Sequence, residues 1–235
     1  MPIDKRVATF TETVADIGDG SVIMVDGFGG SGGMPQELIL ALRDRGARDL
    51  TLISNTAGLK GFGTIVGKPA ITHAILIENG QVSKVIASFP VGRSPSQPTP
   101  FELAYRRGEV DLEVVPQGTL AERIRSGGAG IAAFYTPTGV GTPVAEGKEV
   151  RVFNGREYIL EQALQADFAL IRAHRGDRFG NLTYRGTSRN FNPLMAAAAR
   201  VTIAEVDKYE EAGSLEPENV VTPGIYVQRI VLRAS

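Results

Sequence analysis

The chain has no cysteine, no tryptophan and only two histidines. Without cysteine there is no disulfide, no thiolate nucleophile and no Cys-ligated zinc or iron–sulfur centre. Such a chain suits a reducing compartment, and a cytoplasmic location is expected. Neither His73 nor His174 has a partner at metal-binding spacing, and no H-E-x-x-H pattern surrounds them. Both read as structural, and no metal is expected. Long hydrophobic runs are also missing. No apolar stretch approaches the roughly 18–20 residues that span a bilayer, and the N-terminus lacks the apolar core of a signal peptide. No membrane association is expected. Charge of one sign is not in excess: 25 basic residues face 26 acidic ones, with no block of like charge. That argues against a nucleic-acid partner.

What the sequence does have is apolar content, at 43% of 235 residues, enough for one domain over residues 1–235 with a sizeable core. Helical and strand patterns alternate. This predicts an α/β fold, a three-layer α/β/α arrangement around a mainly parallel open sheet. Residues 5–17 read as a helix and 21–26 as a buried strand. Pro35 opens a helix that Gly46 stops, and 50–54 form the next strand. Residues 71–88 read as two strands joined by an Asn79-Gly80 turn. A short helix near 101–107, a strand at 112–115, a helix at 119–126 and a strand at 131–135 follow. Residues 151–160 read as a hairpin around Asn154-Gly155 and 168–173 as a buried strand. A helix at 192–200 has Asn192 as its cap, and strands at 201–206 and 225–232 close the pattern.

Several strands run straight into glycine-rich or small polar loops, at 27–33, 54–58, 117–119 and 136–142. In open α/β sheets the ligand crevice lies outside the carboxyl ends of the strands, so four such loops predict one site. The first is the richest: Gly27, Gly29, Gly30, Gly32 and Gly33, interrupted by Phe28 and Ser31. It formally matches G-x-G-x-x-G, but a dinucleotide site also wants an acid at the end of the second strand, where Ser54-Asn55 stand. No Gly-Lys-Ser/Thr follows, so it is not a Walker loop. A tight strand-to-helix turn would explain part of it. The glycine density favours close backbone contact with a phosphate or thioester ligand, with amides at the helix start attracting the anion.

Longer motifs then carry a resemblance. Residues 19–29, Asp-Gly-Ser-Val-Ile-Met-Val-Asp-Gly-Phe-Gly, followed by Gly32-Gly33-Met34-Pro35, resemble the N-terminal signature of the A subunit of family I 3-oxoacid CoA-transferases. Ser54-Asn55-Thr56-Ala57-Gly58 looks like that family's Ser-Asn-Asn-Ala-Gly loop. Pro116-Gln117-Gly118-Thr119-Leu120-Ala121-Glu122-Arg123 looks like its central block, and the run from Phe134 to Thr142 follows in register. His174 to Tyr184, Val221 to Ile225 and Ser88-Phe89-Pro90 lean toward 3-oxoadipate-specific A subunits, with acetoacetate-specific ones close behind. Asp26 stands where the family has glycine, and Thr56 replaces an asparagine.

The resemblance implies transfer of CoA from an acyl-CoA, often succinyl-CoA, to a 3-oxo acid. A glutamate attacks the thioester and passes through an anhydride to a glutamyl-CoA thioester. No tightly bound cofactor is implied; CoA and acyl-CoA are substrates. The nucleophile is implied to sit on a B subunit, in a heterodimer or an A2B2 tetramer. Glu78-Asn79-Gly80 copies part of the B-subunit motif but reads here as a turn. From spacing alone Gln117 is either a helix cap or a catalytic amide; the resemblance makes it the donor to the tetrahedral oxyanion. Asp26, Gly27, Phe28, Gly29, Gly30, Ser31, Gly32 and Asn55 are implied to line the CoA thioester, with the 136–142 loop beside them. Arg93 is a candidate for a second substrate carboxylate, though an exposed loop arginine explains it as well. Two other classes stay open: a non-catalytic acyl-CoA-binding module, and a nicotinamide dehydrogenase.

Overall fold

The computed structural model describes residues 3–25, 33–59, 71–92 and 94–233, with backbone only at 64–65 and 68–69. In chain order, α1 (Phe10–Thr13) precedes β1 (Val22–Val25), α2 (Gln36–Arg45), β2 (Leu50–Thr56), β3 (Thr64–Ile65) and β4 (Lys68–Pro69). Then come α3 (Ala74–Glu78), β5 (Val82–Phe89), α4 (Pro100–Arg106), β6 (Asp111–Val114), α5 (Gln117–Ala129) and β7 (Ala133–Thr136). The remainder is β8 (Val150–Phe153), β9 (Arg156–Gln162), β10 (Ala166–Asp177), β11 (Leu182–Thr183), α6 (Asn192–Ala198), β12 (Ala199–Glu210) and β13 (Arg229–Leu232).

The expected α/β class holds. The main sheet has the order β13-β12-β10-β1-β2-β5-β6, with every neighbouring pair on that path parallel. Only β11 pairs antiparallel, onto the end of β10. Alternate strand residues feed two cores. Ile23, Val25, Leu52, Leu170 and Ile203 pack with Leu38, Leu42, Leu76 and Phe101 of α2, α3 and α4. Met24, Ile53, Ala169, Ile171 and Ala204 pack with Leu120, Ile124 and Met195 of α5 and α6. The strands are therefore apolar on both faces, as a sheet covered by helices on each side requires.

Four sequence expectations change. Residues 5–17 are not one helix. Thr9 and Glu12 form a reciprocal capping box that starts α1 late, while Lys5 and Val7 hydrogen-bond with Ile230 of β13 in an isolated parallel bridge. Residues 71–88 are a helix and one strand. The run A-I-L-I fits either period, and Gly80, at φ 65°, closes α3 instead of turning a hairpin. Asn192 is the first residue of α6 and makes no capping bond, because its side chain is spent elsewhere. Residues 225–228 stay outside β13, which begins at Arg229.

Strands β7, β9 and β8 form a separate antiparallel sheet. The hairpin around Asn154-Gly155 is present, with both residues at positive φ (51° and 77°) as a type I′ turn demands. The 136–142 loop follows a strand of this second sheet, so the rule that placed it at the carboxyl edge of the main one does not apply.

Helix α5 can approach its neighbours because it carries Gly127 and Gly128. A Cβ on Gly127 would collide with the Leu164 carbonyl, and one on Gly128 would lie 2.9 Å from the Ala197 methyl of α6. Gly127→Ala is expected to cost about 1–3 kcal/mol by overpacking, read as a lower urea midpoint with an unchanged slope.

Candidate active site

Parallel register sets the level of each strand end. Met24 pairs with both Ile53 and Ala169, so Asn55 and Ile171 stand at the same height, where β1 gives way to the glycine loop. On the other side of β2, Ala87 of β5 pairs with Val114 of β6. Two residues later Pro116, with no N–H to satisfy, caps α5, and Gln117 is its first helical residue. Chain turns from two parallel strands thus bring residues 62 apart together. The Gln117 side-chain Nε2 donates to Asn55 Oδ1 at 2.8 Å, with Asn55 buried and Gln117 half-buried. One N–H of the Gln117 amide is used by Asn55, and the same nitrogen carries a second donor. Gln117 does not cap the helix it begins.

Charged contacts pin α5 in place. Arg123, 8% exposed, donates from Nη1 to Glu113 of β6 at 2.6 Å and from Nε to the Gln162 carbonyl at 2.7 Å. Glu161, 1% exposed, is met by Lys148 at 2.6 Å. Under the Asn55 strand lies His73, fully buried, its Nε2 on the Thr56 carbonyl at 2.9 Å and its Nδ1 without a partner among the described residues. Burial pushes its pKa down to about 4.

The proposed loop residues Asp26, Gly27, Phe28, Gly29, Gly30, Ser31 and Gly32 lie outside the described residues, as does Arg93. The helix they lead into is described, and its first amides are already occupied. Glu205 of β12, fully buried, accepts from Glu37 N at 2.9 Å and Leu38 N at 3.1 Å. The anion that the start of α2 attracts is the protein's own carboxylate, so those two amides are not free for a ligand phosphate. Burial pushes Glu205 up to about 7, against the opposing pull of Arg233 and the two amides.

Glu78 is exposed at the end of α3. It precedes the start of β5, and the eight residues of that strand, at roughly 3.3 Å each, separate it from the edge that holds Gln117. Glu78 and Gln117 serve opposite edges of the sheet.

Past the end of β1, β10 and β12 continue side by side, with Arg172 paired to Glu205 and Ala173 to Val206 in register. Here a charged group forms that sequence reading missed. Asp207 receives Arg172 at 2.9 Å, Arg233 at 3.0 Å and His174 Nδ1 at 3.4 Å. Burial would raise Asp207, but these neighbours hold it below the ordinary carboxylate range. The signal was available: Arg172 and His174, and Glu205 and Asp207, alternate along two strands where an apolar face should have continued. Among the described residues no cluster fit to hold a metal ion occurs, and no helix is long and apolar enough to cross a membrane.

An open parallel sheet with polar amides gathered at its carboxyl edge defines an α/β protein of the ligand-binding type. The chain belongs to the coenzyme A transferase family, whose pattern matches residues 7–233. It is 53% identical to the A subunit of the 3-oxoadipate CoA-transferase of Pseudomonas putida, over 97% of this chain and 94% of that one. It is 50% identical to the A subunit of the succinyl-CoA:3-ketoacid coenzyme A transferase of Xanthomonas campestris pv. campestris (strain B100), over 98% and 90%. Among solved structures, an acyl-CoA transferase from Escherichia coli O157:H7 in a thioester complex with CoA shares the fold. Its TM-score is 0.82 at 23% identity, over 98% of this chain and half of that one. The glutaconate coenzyme A-transferase of Acidaminococcus fermentans shares it at a TM-score of 0.78 and 18% identity, over 97% and 75%.

Two buried groups give stability opposite pH dependences. Between 4.5 and about 7 the native state keeps a proton on Glu205 that the unfolded chain releases, so this group's contribution falls as pH rises. Between 6.5 and about 4 the unfolded chain binds a proton that native His73 refuses, so this contribution falls as pH drops. Relative to wild type, Glu205→Gln should gain stability as pH rises through the first window and His73→Gln as pH falls through the second. Urea unfolding across both windows checks this; a profile parallel to wild type would contradict the assignment for that residue.

Proposed function

We propose that this chain is the A subunit of a 3-oxoacid CoA-transferase that moves CoA from succinyl-CoA to a 3-oxo acid, with 3-oxoadipate ahead of acetoacetate. The observation that carries the reading is the Gln117–Asn55 pair at the carboxyl edge, in a chain 53% identical over nearly its whole length to the A subunit of a 3-oxoadipate CoA-transferase. The partner is a B subunit, as a heterodimer or A2B2 tetramer, and it brings the attacking glutamate. CoA and acyl-CoA enter as substrates, with no resident cofactor. Acyl-CoA pools are intracellular, so the reading carries a cytoplasmic location.

In this reading the partner's carboxylate adds to the thioester carbonyl carbon, and the carbonyl oxygen becomes an oxyanion. Asn55 holds one N–H of Gln117, which aims the other at that oxygen. The amide is oriented before the charge appears, so the stabilisation costs little reorganisation at the moment of reaction. Collapse of the adduct expels CoA thiolate and leaves an acyl-glutamyl anhydride. Thiolate then attacks the glutamyl carbonyl and releases the first acid; the second acid reverses the sequence. In this reading Asp26, Gly27, Phe28, Gly29, Gly30, Ser31 and Gly32 contribute with Asn55 to the lining of the CoA thioester.

The test is reconstitution with a B-type partner and succinyl-CoA against a panel of 3-oxo acids. The mixture should transfer CoA and the isolated chain should not. A non-catalytic acyl-CoA-binding module would stay inactive in the mixture, and a nicotinamide dehydrogenase would bind NAD tightly alone. In the active mixture Gln117→Ala should lose about 100-fold or more in kcat, the usual cost of one oxyanion donor. Near-normal turnover by a folded variant would reject the role.

A further inference from the structure

Between Gly33 and the ends of β10 and β12 lies a cleft of about 350 Å³ lined by Arg172, His174, Arg185, Ser188, Asp207 and Gly33, among others. We propose that this cleft receives the free, distal carboxylate of a dicarboxylic acyl group while its other end is activated at Gln117. The inference rests on the transferase reading and adds the chemical feature by which acyl groups are told apart.

Charge is the first argument. Asp207 is already shared by Arg172, Arg233 and His174. Arg185 is exposed and has no ion-pair partner among the described residues. The lining therefore holds two guanidinium groups and one carboxylate, an excess suited to one added anion. A guanidinium meets a carboxylate through paired N–H donors, which fixes direction as well as charge. The larger neighbouring cavity, about 620 Å³, balances Arg175 and Arg189 with Glu216 and Glu218 and has no such excess.

Construction is the second argument. The side chain of Asn192, fully buried, ties the cleft together. Its Oδ1 accepts from Arg172 N at 3.0 Å, and its Nδ2 donates to Ser188 O at 3.0 Å and Gly33 O at 3.4 Å. Gly33 sits at φ 77°, and a Cβ there would collide with the Ser188 carbonyl. The turn carrying Arg185 and Ser188 is thus seated on Gly33 and on β10. It leads into α6 on one face of the sheet, while Gly33 leads into α2 on the other.

Position is the third. Arg172 stands one residue beyond the height of Asn55 by register, with β1 between their strands. Two strand spacings put roughly 10 Å between those backbones. By register parity the Arg172 side chain leaves the sheet on the α2 face and Asn55 on the α5 face, so an extended dicarboxylic acyl chain with a polar contact at each end would cross the carboxyl end of β1 to join them.

Thioester donors that differ only in the acyl group test this in the reconstituted pair. With Arg185→Ala, KM for succinyl-CoA should rise about tenfold or more, as expected for loss of a hydrogen bond between charged groups. KM for acetoacetyl-CoA, which has no distal carboxylate, should stay within about twofold, and Arg185→Lys should recover part of the loss. An equal rise for both thioesters would overturn the proposal and assign the cleft to the phosphates of CoA. Unchanged KM for both would overturn it as well. If the wild-type pair transfers from neither thioester, the transferase reading falls first and this inference with it.

Discussion

The hydrogen bond from Gln117 to Asn55 joins two strand ends that are 62 residues apart in the chain, and it can form only if β2, β5 and β6 lie parallel and in their observed register. A slip of one residue in any of them would turn Asn55 to the other face of the sheet or lift Gln117 away from it. Everything that fixes that register therefore serves the site. The two apolar cores hold the strands from both sides. Gly127 and Gly128 let α5 settle against α6 and the Leu164 backbone. Arg123 fastens the same helix to Glu113 and Gln162. The amide pair is polar and modest in strength, and its geometry is set by packing that is neither.

The electrostatics of the carboxyl edge divide between β2–β6 and β10–β13. On one side stand neutral amides, suited to a charge that develops during reaction. On the other stands a group of ionisable side chains, in which Glu205 accepts from the start of α2 and lies beside Arg233 while Asp207 gathers Arg172, His174 and Arg233. Glu205 of β12 also bears on what the start of α2 can bind. The amides of Glu37 and Leu38 are taken by Glu205, so they are not available to a ligand.

Much of this was legible in the sequence. Alternating patterns gave the α/β class, Gly46 and the Asn154-Gly155 turn were placed by their need for positive φ, and Gln117 and Asn55 stood in motifs long enough to be specific. The misreadings have physical causes. Ala74–Glu78 is short and apolar, so period alone could not separate helix from strand, and Gly80 serves a helix end as readily as a hairpin. Asn192 looked like a cap, but its amide is taken by Arg172, Ser188 and Gly33, partners invisible without the fold. The Arg172–Asp207 group depends on two strands being neighbours although the two residues are 35 apart in the chain, which no local pattern reveals.

Half of an active site, completed by another polypeptide, is the central claim, and the location of the covalent intermediate tests it most directly. The reconstituted pair can be incubated with an acyl-CoA, the glutamyl-CoA thioester reduced, and both polypeptides mapped by mass spectrometry. The account predicts one modified glutamate on the partner and none on this chain. A modified carboxylate here, at Glu78 or elsewhere, would contradict it.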